Sequence, residues 1–449
     1  MKNHFHIFRE RLSDNPPAVL TFGFLFMILV GSFLLFLPFS SKNLNFTNYL
    51  DCLFIATSSV CVTGLSTINI AYEFNYFGKT IIMILIQVGG LGFMTMATMV
   101  ALILREKITL KDRLVIKEQM GVSRLSGMVK LIKYVIYSTL LIEFIGSIFL
   151  SFVFIPKYGL KGIFYSIFHS ISAFCNAGFD VLGDSSLKIF SNNPYFLSIV
   201  SLLIIIGGIG FNVYIDIIKF KFNLKKYSIH SKIVLVMTFS LLFIGTFLFF
   251  ILEHNNESTI GNYNFIDKIF NSLFQSVTTR TAGFYSIDQT NFTESSSVIS
   301  MFLMFIGGSP SSCAGGIKTT TIFLLLITTI SFIKNSDDIE VFKRRISFSS
   351  VNKAIGLLVI SLSLVFVVTF ILSLIENFRY LDLLFEVISA FATVGLSRNL
   401  TPYLKDISKI ILILLMFIGR VGPLTIIFSF YKNVNKKKIR YAKENIIVG

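Results

Sequence analysis

Charge is scarce in this sequence: 14% of its 449 residues are Asp, Glu, Lys or Arg, against 54% hydrophobic and 50 phenylalanines. A water-soluble chain of that length gives far more of its surface to charge, so lipid must be the main solvent. Tryptophan is absent, and cysteine nearly so. Cys52, Cys61, Cys175 and Cys313 form no CxxC pair and have no histidine at metal-ligand spacing. That argues against structural zinc and leaves them as small apolar filler between packed helices. No HExxH, GxSxG or paired-carboxylate arrangement is present either, so no catalytic residue or catalytic cofactor is assigned. The start, residues 1–17, carries Lys2, Arg9 and Arg11 but no small-residue cleavage site after a short apolar run. Ala18–Phe39 therefore reads as a retained span.

The charge that is present is unevenly placed. Five polar stretches (the N-terminus, Arg105–Lys133, Lys219–Lys232, Lys334–Lys353 and Tyr431–Gly449) hold 27 of the 40 Lys and Arg but only 9 of the 24 Asp and Glu. Cationic loops resist translocation, so all five, with both termini, are expected on the cytoplasmic side of the membrane. The chain must then cross an even number of times between them. Lipid headgroups are the natural partner of such runs. Nucleic acid is excluded, because no soluble stretch is long enough to form a basic domain.

Between the basic stretches a unit recurs: long apolar span, short amphipathic segment, glycine signature, long apolar span. The signatures are Val62-Thr63-Gly64, Asn176-Ala177-Gly178, Thr281-Ala282-Gly283 and Thr393-Val394-Gly395, with glycines 114, 105 and 112 residues apart. Spans such as Phe77–Leu104, Tyr195–Ile218 and Ile407–Tyr431 are long enough to cross as helices. The segment before each glycine has about 12 residues and suits a half-helix that enters and returns on one side. The expected fold is an all-α integral membrane protein of four span–pore-loop–span repeats. The repeats cover 18–104, 131–218, 233–333 and 354–431, with linkers 105–130, 219–232 and 334–353 and a tail 432–449.

A dehydrated cation needs oxygens to replace its water, and consecutive carbonyls supply them where glycine permits the dihedrals. Thr393-Val394-Gly395 matches the opening of the TVGYG potassium filter. A second glycine echo, Gly89-Gly90, Gly207-Gly208, Gly307-Gly308 and Gly419-Arg420, falls 25, 29, 24 and 24 residues after the signatures. Close helix packing explains the first two. The third runs on as Ser309-Pro310-Ser311-Ser312-Cys313-Ala314-Gly315-Gly316-Ile317-Lys318, where a helix should break. Ile317 separates that glycine pair from Lys318, which rules out a phosphate loop. A flexible plug with Lys318 and Arg420 near the inner path fits better, since a charge in mid-span is functional by default. Glu73, Asp180, Asp184 and Asp288 follow the signatures and are expected at the outer mouth. Arg280 and Arg398 are expected to brace the loops through carbonyls or carboxylates.

These signatures, with GGSPSSCAGGIKTTT and GRVGPLT, resemble the Ktr/Trk/HKT superfamily of cation-translocating subunits over nearly the whole chain. No further span precedes Ala18, which is more like the Ktr-type membrane subunit (KtrB) than the longer Trk-type. The resemblance implies pseudo-fourfold repeats around one central pore per subunit, a homodimer, and a cytoplasmic ring of nucleotide-binding regulatory subunits of the KtrA type. It implies potassium as the transported ion, with sodium as a possible activator, in the cytoplasmic membrane. It places the selectivity filter at the four signatures and the gate at Gly307–Lys318, with Arg420 beside it. The alternative is transport coupled to sodium or protons, for which Glu143 and Asp216 are the few carboxylates within spans.

Overall fold

The computed structural model of the chain describes residues 15–92, 95, 96, 98, 113–115, 128–183, 186–221, 223–336, 338–430 and 444. Most of the expected N-terminal segment, first linker and tail, and Asp184, lie outside them.

Each repeat begins with a long apolar helix: α1 (Pro16–Phe36), α4 (Met128–Tyr158), α8 (Ile229–Glu253) and α12 (Phe348–Ile375). All four are long and apolar enough to cross a membrane. Their starts are set locally, by Pro16 and Pro17 in the first turn of α1 and by the Ser228 hydroxyl capping the Ser231 amide of α8. Their outer faces expose Phe26, Phe243, Phe366 and Leu374, which water would not tolerate and lipid does.

A half-helix follows in each repeat: α2 (Tyr49–Val60), α5 (Lys161–Phe174), α9 (Phe265–Thr278) and α13 (Tyr380–Ala392). These have 12 to 14 residues, about 20 Å at 1.5 Å per residue, and stop at the signatures. They carry several of the fully buried phenylalanines, Phe54, Phe174, Phe274 and Phe391 among them.

The return spans depart from the expectation of unbroken crossings. They are α3 (Tyr76–Leu91), α6 (Pro194–Ile209) with α7 (Phe211–Phe220), α10 (Glu294–Phe305) with α11 (Thr319–Ile333), and α14 (Asp406–Val421) with α15 (Pro423–Phe430). The first, second and fourth stop at Gly92, Gly210 and Gly422, whose φ values are +85°, +96° and +94°. A side chain is strained in that backbone conformation, so the helix ends and the chain turns. The bends at Gly210 and Gly422 are 94° and 91°. In the third repeat the break is the expected loop, closed at its stem by a parallel bridge between Ile306 and Ile317. One two-stranded hairpin, β1 (Glu340–Val341) with β2 (Arg344–Arg345), lies in the linker before α12.

Candidate ion path at the glycine signatures

The four signatures meet although they lie more than 100 residues apart. A Cβ placed on Gly64 would sit 3.2 Å from the Cα of Gly178, and one on Gly178 would sit 2.9 Å from the Cα of Gly283. From Gly283 it would be 3.1 Å to Gly395, and from Gly395 3.0 Å back to Gly64. The ring is closed, in chain order, with no room for a side chain at any of the four. Its backbone repeats too. Val62, Asn176, Thr281 and Thr393 have φ between +52° and +65°, the next residue does not, and the glycine is left-handed again at +70° to +100°. This alternation lines the ring with backbone rather than side chains.

Each loop is locked from behind. The Ser58 hydroxyl accepts the amide of Gly64 (3.0 Å), and that of Ser389 accepts the amide of Gly395 (3.1 Å). Ser172 and Thr278 instead donate to the carbonyls of Phe179 and Phe284, at 2.8 and 2.5 Å. The Asn176 amide, with its nitrogen toward α6, donates to the Ile204 carbonyl (3.2 Å), so this side chain braces the loop. The hydroxyls of Thr63, Thr281 and Thr393 are buried without a hydrogen-bond partner among the described residues. Ala177, Ala282 and Val394 are fully buried beside them.

The second glycine echo has a common job in three repeats. A Cβ on Gly89, Gly207 or Gly419 would run into the carbonyl of Val60, Phe174 or Phe391, in the last turns of the half-helices. Glycine lets the return span touch the foot of the half-helix. Replacing Gly89 with alanine is expected to cost about 1–3 kcal/mol through overpacking. Gly356→Ala, where the new Cβ meets nothing within 4 Å, should not lower the unfolding midpoint in detergent. A midpoint equally unaffected in Gly89→Ala would refute the close-contact assignment.

Gly307 breaks the pattern, facing the Gly315 carbonyl of its own loop. That loop lies under the ring. Gly315 abuts the Thr393 side chain, and Gly316 sits against Ala392. On the other side the amides of Ser309 and Cys313 donate to the carbonyls of Gly208 (3.1 Å) and Gly207 (3.3 Å). The Ser311 carbonyl accepts the amide of Phe211 (2.9 Å), seating the Pro310–Ser311 apex on the break at Gly210. Within the loop, Ser312 donates to Ser309 O (2.6 Å) and Lys318 to Ala314 O (2.6 Å). Arg420 joins three repeats by donating to the carbonyls of Cys313 and Gly89, with Gly90 O at 3.4 Å.

The family model described as TrkH, cation transport protein, matches residues 22–441. The chain belongs to this family. It is 43% identical over 448 residues to the potassium/sodium uptake protein NtpJ of Enterococcus hirae, covering 98% of both chains. It is 40% identical over 435 residues to the Ktr system potassium uptake protein B of Bacillus subtilis, covering 97% of both. Among solved structures, TrkH from Vibrio parahaemolyticus superposes with a TM-score of 0.72 over 91% of this chain and 84% of that one, at 19% identity. The fold is thus that of TrkH: a multi-pass helical membrane protein whose four repeats close pseudo-fourfold around a central axis.

On the ring's other side this TrkH-family chain has a cavity of about 390 Å³ lined by the four signature glycines, Asp180 and Tyr285. Two of the acids that follow the signatures, Asp180 and Asp288, are engaged. Asp180 caps the Leu182 amide (3.0 Å) and accepts from Ser186 (2.8 Å), while burial pushes its carboxyl above the usual range. Asp288 is bridged by Lys188 at 2.5 Å; burial pushes it up, but that lysine and Thr290 hold it below the ordinary carboxylate range. Arg398 braces its loop as expected, through Asp382 (2.8 Å) and Ser297 (2.5 Å). Arg280 does not: it is buried and its Nε has no hydrogen-bond partner among the described residues. It occupies the place that Cys61, Cys175 and Ala392 hold in the other repeats.

Two carboxylates are placed by tertiary contacts alone. Glu386 is buried behind the fourth signature, accepting from Ser397, the Arg398 amide (3.1 Å) and Thr401 (3.0 Å). Composition offers no sign of that role. Glu143 accepts from Gln87 at 3.2 Å, across from Cys175. Asp216 caps the turn into α8 through Ser228 and Ser231. The missed signal of the site is the last glycine of GGLG, GGIG and GRVG, which marks every break outside the third repeat.

Proposed function

We propose that this chain takes up potassium across the cytoplasmic membrane, through a filter formed by the backbone at Val62–Gly64, Asn176–Gly178, Thr281–Gly283 and Thr393–Gly395. The observation that carries this is the closed ring of four glycines in alternating backbone conformation. Irregular backbone at membrane depth persists only where it is buried in protein or lines a watery path. The unpartnered hydroxyls of Thr63, Thr281 and Thr393 add oxygens beside the carbonyls. Relatives named as potassium uptake proteins along nearly their whole length support the choice of ion.

The gate in this reading is the loop Gly307–Lys318. Gly307, Gly308, Gly315 and Gly316 supply its close turns, Ser309–Ser312 its apex, and Lys318 and Arg420 the charges that hold it closed. The repeats 18–104, 131–218, 233–333 and 354–431 are joined by linkers on the cytoplasmic side, with both termini there, as the positive-inside rule requires. The subunit works as a homodimer under a ring of nucleotide-binding regulatory subunits of the KtrA type. The names of its relatives as parts of a Ktr system support a partner of that kind.

Sodium enters as an activator. The name of the Enterococcus hirae relative, a potassium/sodium uptake protein, favours a sodium-linked second reading. Proton coupling has less support, since Asp216 is engaged as a cap. Rubidium uptake in cells lacking their own potassium uptake tests the proposal. Expression of the chain should restore uptake, and uptake should continue in sodium-free medium and across external pH. Loss of all uptake without sodium would favour coupling, and no uptake under any condition would sink the proposal.

A further inference from the structure

Beneath the loop lies a second cavity, of about 170 Å³. Leu20, Phe24, Phe211 and Val421 supply apolar wall, and Lys318 and Arg420 are its only charged lining groups among the described residues. Both cations hydrogen-bond to carbonyls: Lys318 to Ala314, and Arg420 to Cys313, Gly89 and Gly90. Among the described residues no carboxylate lies within 4.0 Å of either. Carbonyl dipoles satisfy donors but leave net charge in place, and two like charges in a low-dielectric enclosure favour a counter-ion strongly. A third positive element adds to them. α11 begins at Thr319, whose amide donates to the Gly308 carbonyl (3.1 Å), and with no side-chain cap the positive end of this 15-residue helix lies beside Lys318.

We infer that this cavity binds a phosphate oxyanion, held by Lys318 and Arg420. Potassium cannot be its resident, since the lining repels cations. A carboxylate of the chain would serve, but the described residues bring none there. The place also suits phosphate. Leu20 and Phe24 lie four and eight residues into α1, about 6 and 12 Å along its axis, near the headgroup boundary of the leaflet where α1 begins. Next to them Leu25 and Phe26 are exposed on the outer face of α1, where acyl chains run. A lipid headgroup and dissolved phosphate offer the same oxyanion. The inference goes beyond the transport reading and is tested by binding alone.

The test is native mass spectrometry of the full chain in detergent, titrated with phosphatidylglycerol, phosphatidylcholine or inorganic phosphate. Wild type is compared with Lys318→Gln, which removes one charge, and Leu20→Trp, which fills the apolar wall without touching the charged groups. Matched elution and unfolding midpoints establish that each variant folds, and Leu20→Trp keeps the test open if Lys318→Gln does not. The expected result is one tightly held phosphatidylglycerol or phosphate per chain, bound about tenfold more weakly by either variant, with phosphatidylcholine poorly retained. Phosphatidylglycerol retained against excess phosphate assigns the lipid as the source, and displacement by phosphate assigns the dissolved ion. Equal retention by all three proteins, or no retained oxyanion in wild type, would overturn the inference.

Discussion

Gly283→Asp is expected to reduce rubidium uptake at least about 100-fold, a barrier increase of about 2.8 kcal/mol. The reason is steric before it is electrostatic. At φ +75° an L side chain is strained, and the new Cβ would collide with the Val394 carbonyl while lying 3.1 Å from Gly395 and 3.2 Å from Gly178. None of these is a flexible side-chain tip, so the ring itself would have to open. Gly283→Ala carries the same Cβ without charge and should lose most uptake as well. If Gly283→Ala transported normally and Gly283→Asp did not, charge and not closure of the ring would control the path. Normal uptake in both, at wild-type surface abundance, would remove the filter assignment.

Deleting Ser309–Ala314 should have the opposite sign, raising uptake about tenfold if the closed loop is favoured by about 1.4 kcal/mol. The excision is geometrically mild. Gly307 already abuts Gly315 and lies in contact range of Gly316, and the Ile306–Ile317 bridge closes the stem. The deletion removes the anchors on Gly207 and Gly208 and the seat of the apex on the α6–α7 break. It also takes Cys313 from Arg420, which keeps its bonds to Gly89 and Gly90. Raised flux that still vanishes on adding Gly283→Asp would put loop and ring on one path. Lost flux in a folded deletion variant would return the loop to a structural role.

Some positions near the ring were legible in one repeat and opaque in another. Arg398 and Arg280 both flank signatures, and sequence reasoning gave them the same bracing role. Arg398 found Asp382, sixteen residues earlier on the adjoining half-helix. Arg280 has no acid so placed, since its own half-helix carries Asp267 at the far end. From sequence Asp288 is an acid expected at the outer mouth, with or without a role for cations, and only the fold bridges it to a lysine 100 residues away.

The sequence by itself determined the solvent, the four repeats, the position of every signature and the broken third return span. These follow from local composition: apolar length against bilayer thickness, basic residues against translocation, proline and glycine against the helix ladder. Only the tertiary structure decided that the signatures close into one ring and that Gly89, Gly207 and Gly419 touch carbonyls. It alone joined Arg420 to Gly89, 331 residues earlier. It also decided that Gly92, Gly210 and Gly422 end their helices, because glycine within an apolar run serves packing or turning equally well. Which of the two it serves depends on what stands opposite, and that neighbour comes from another repeat.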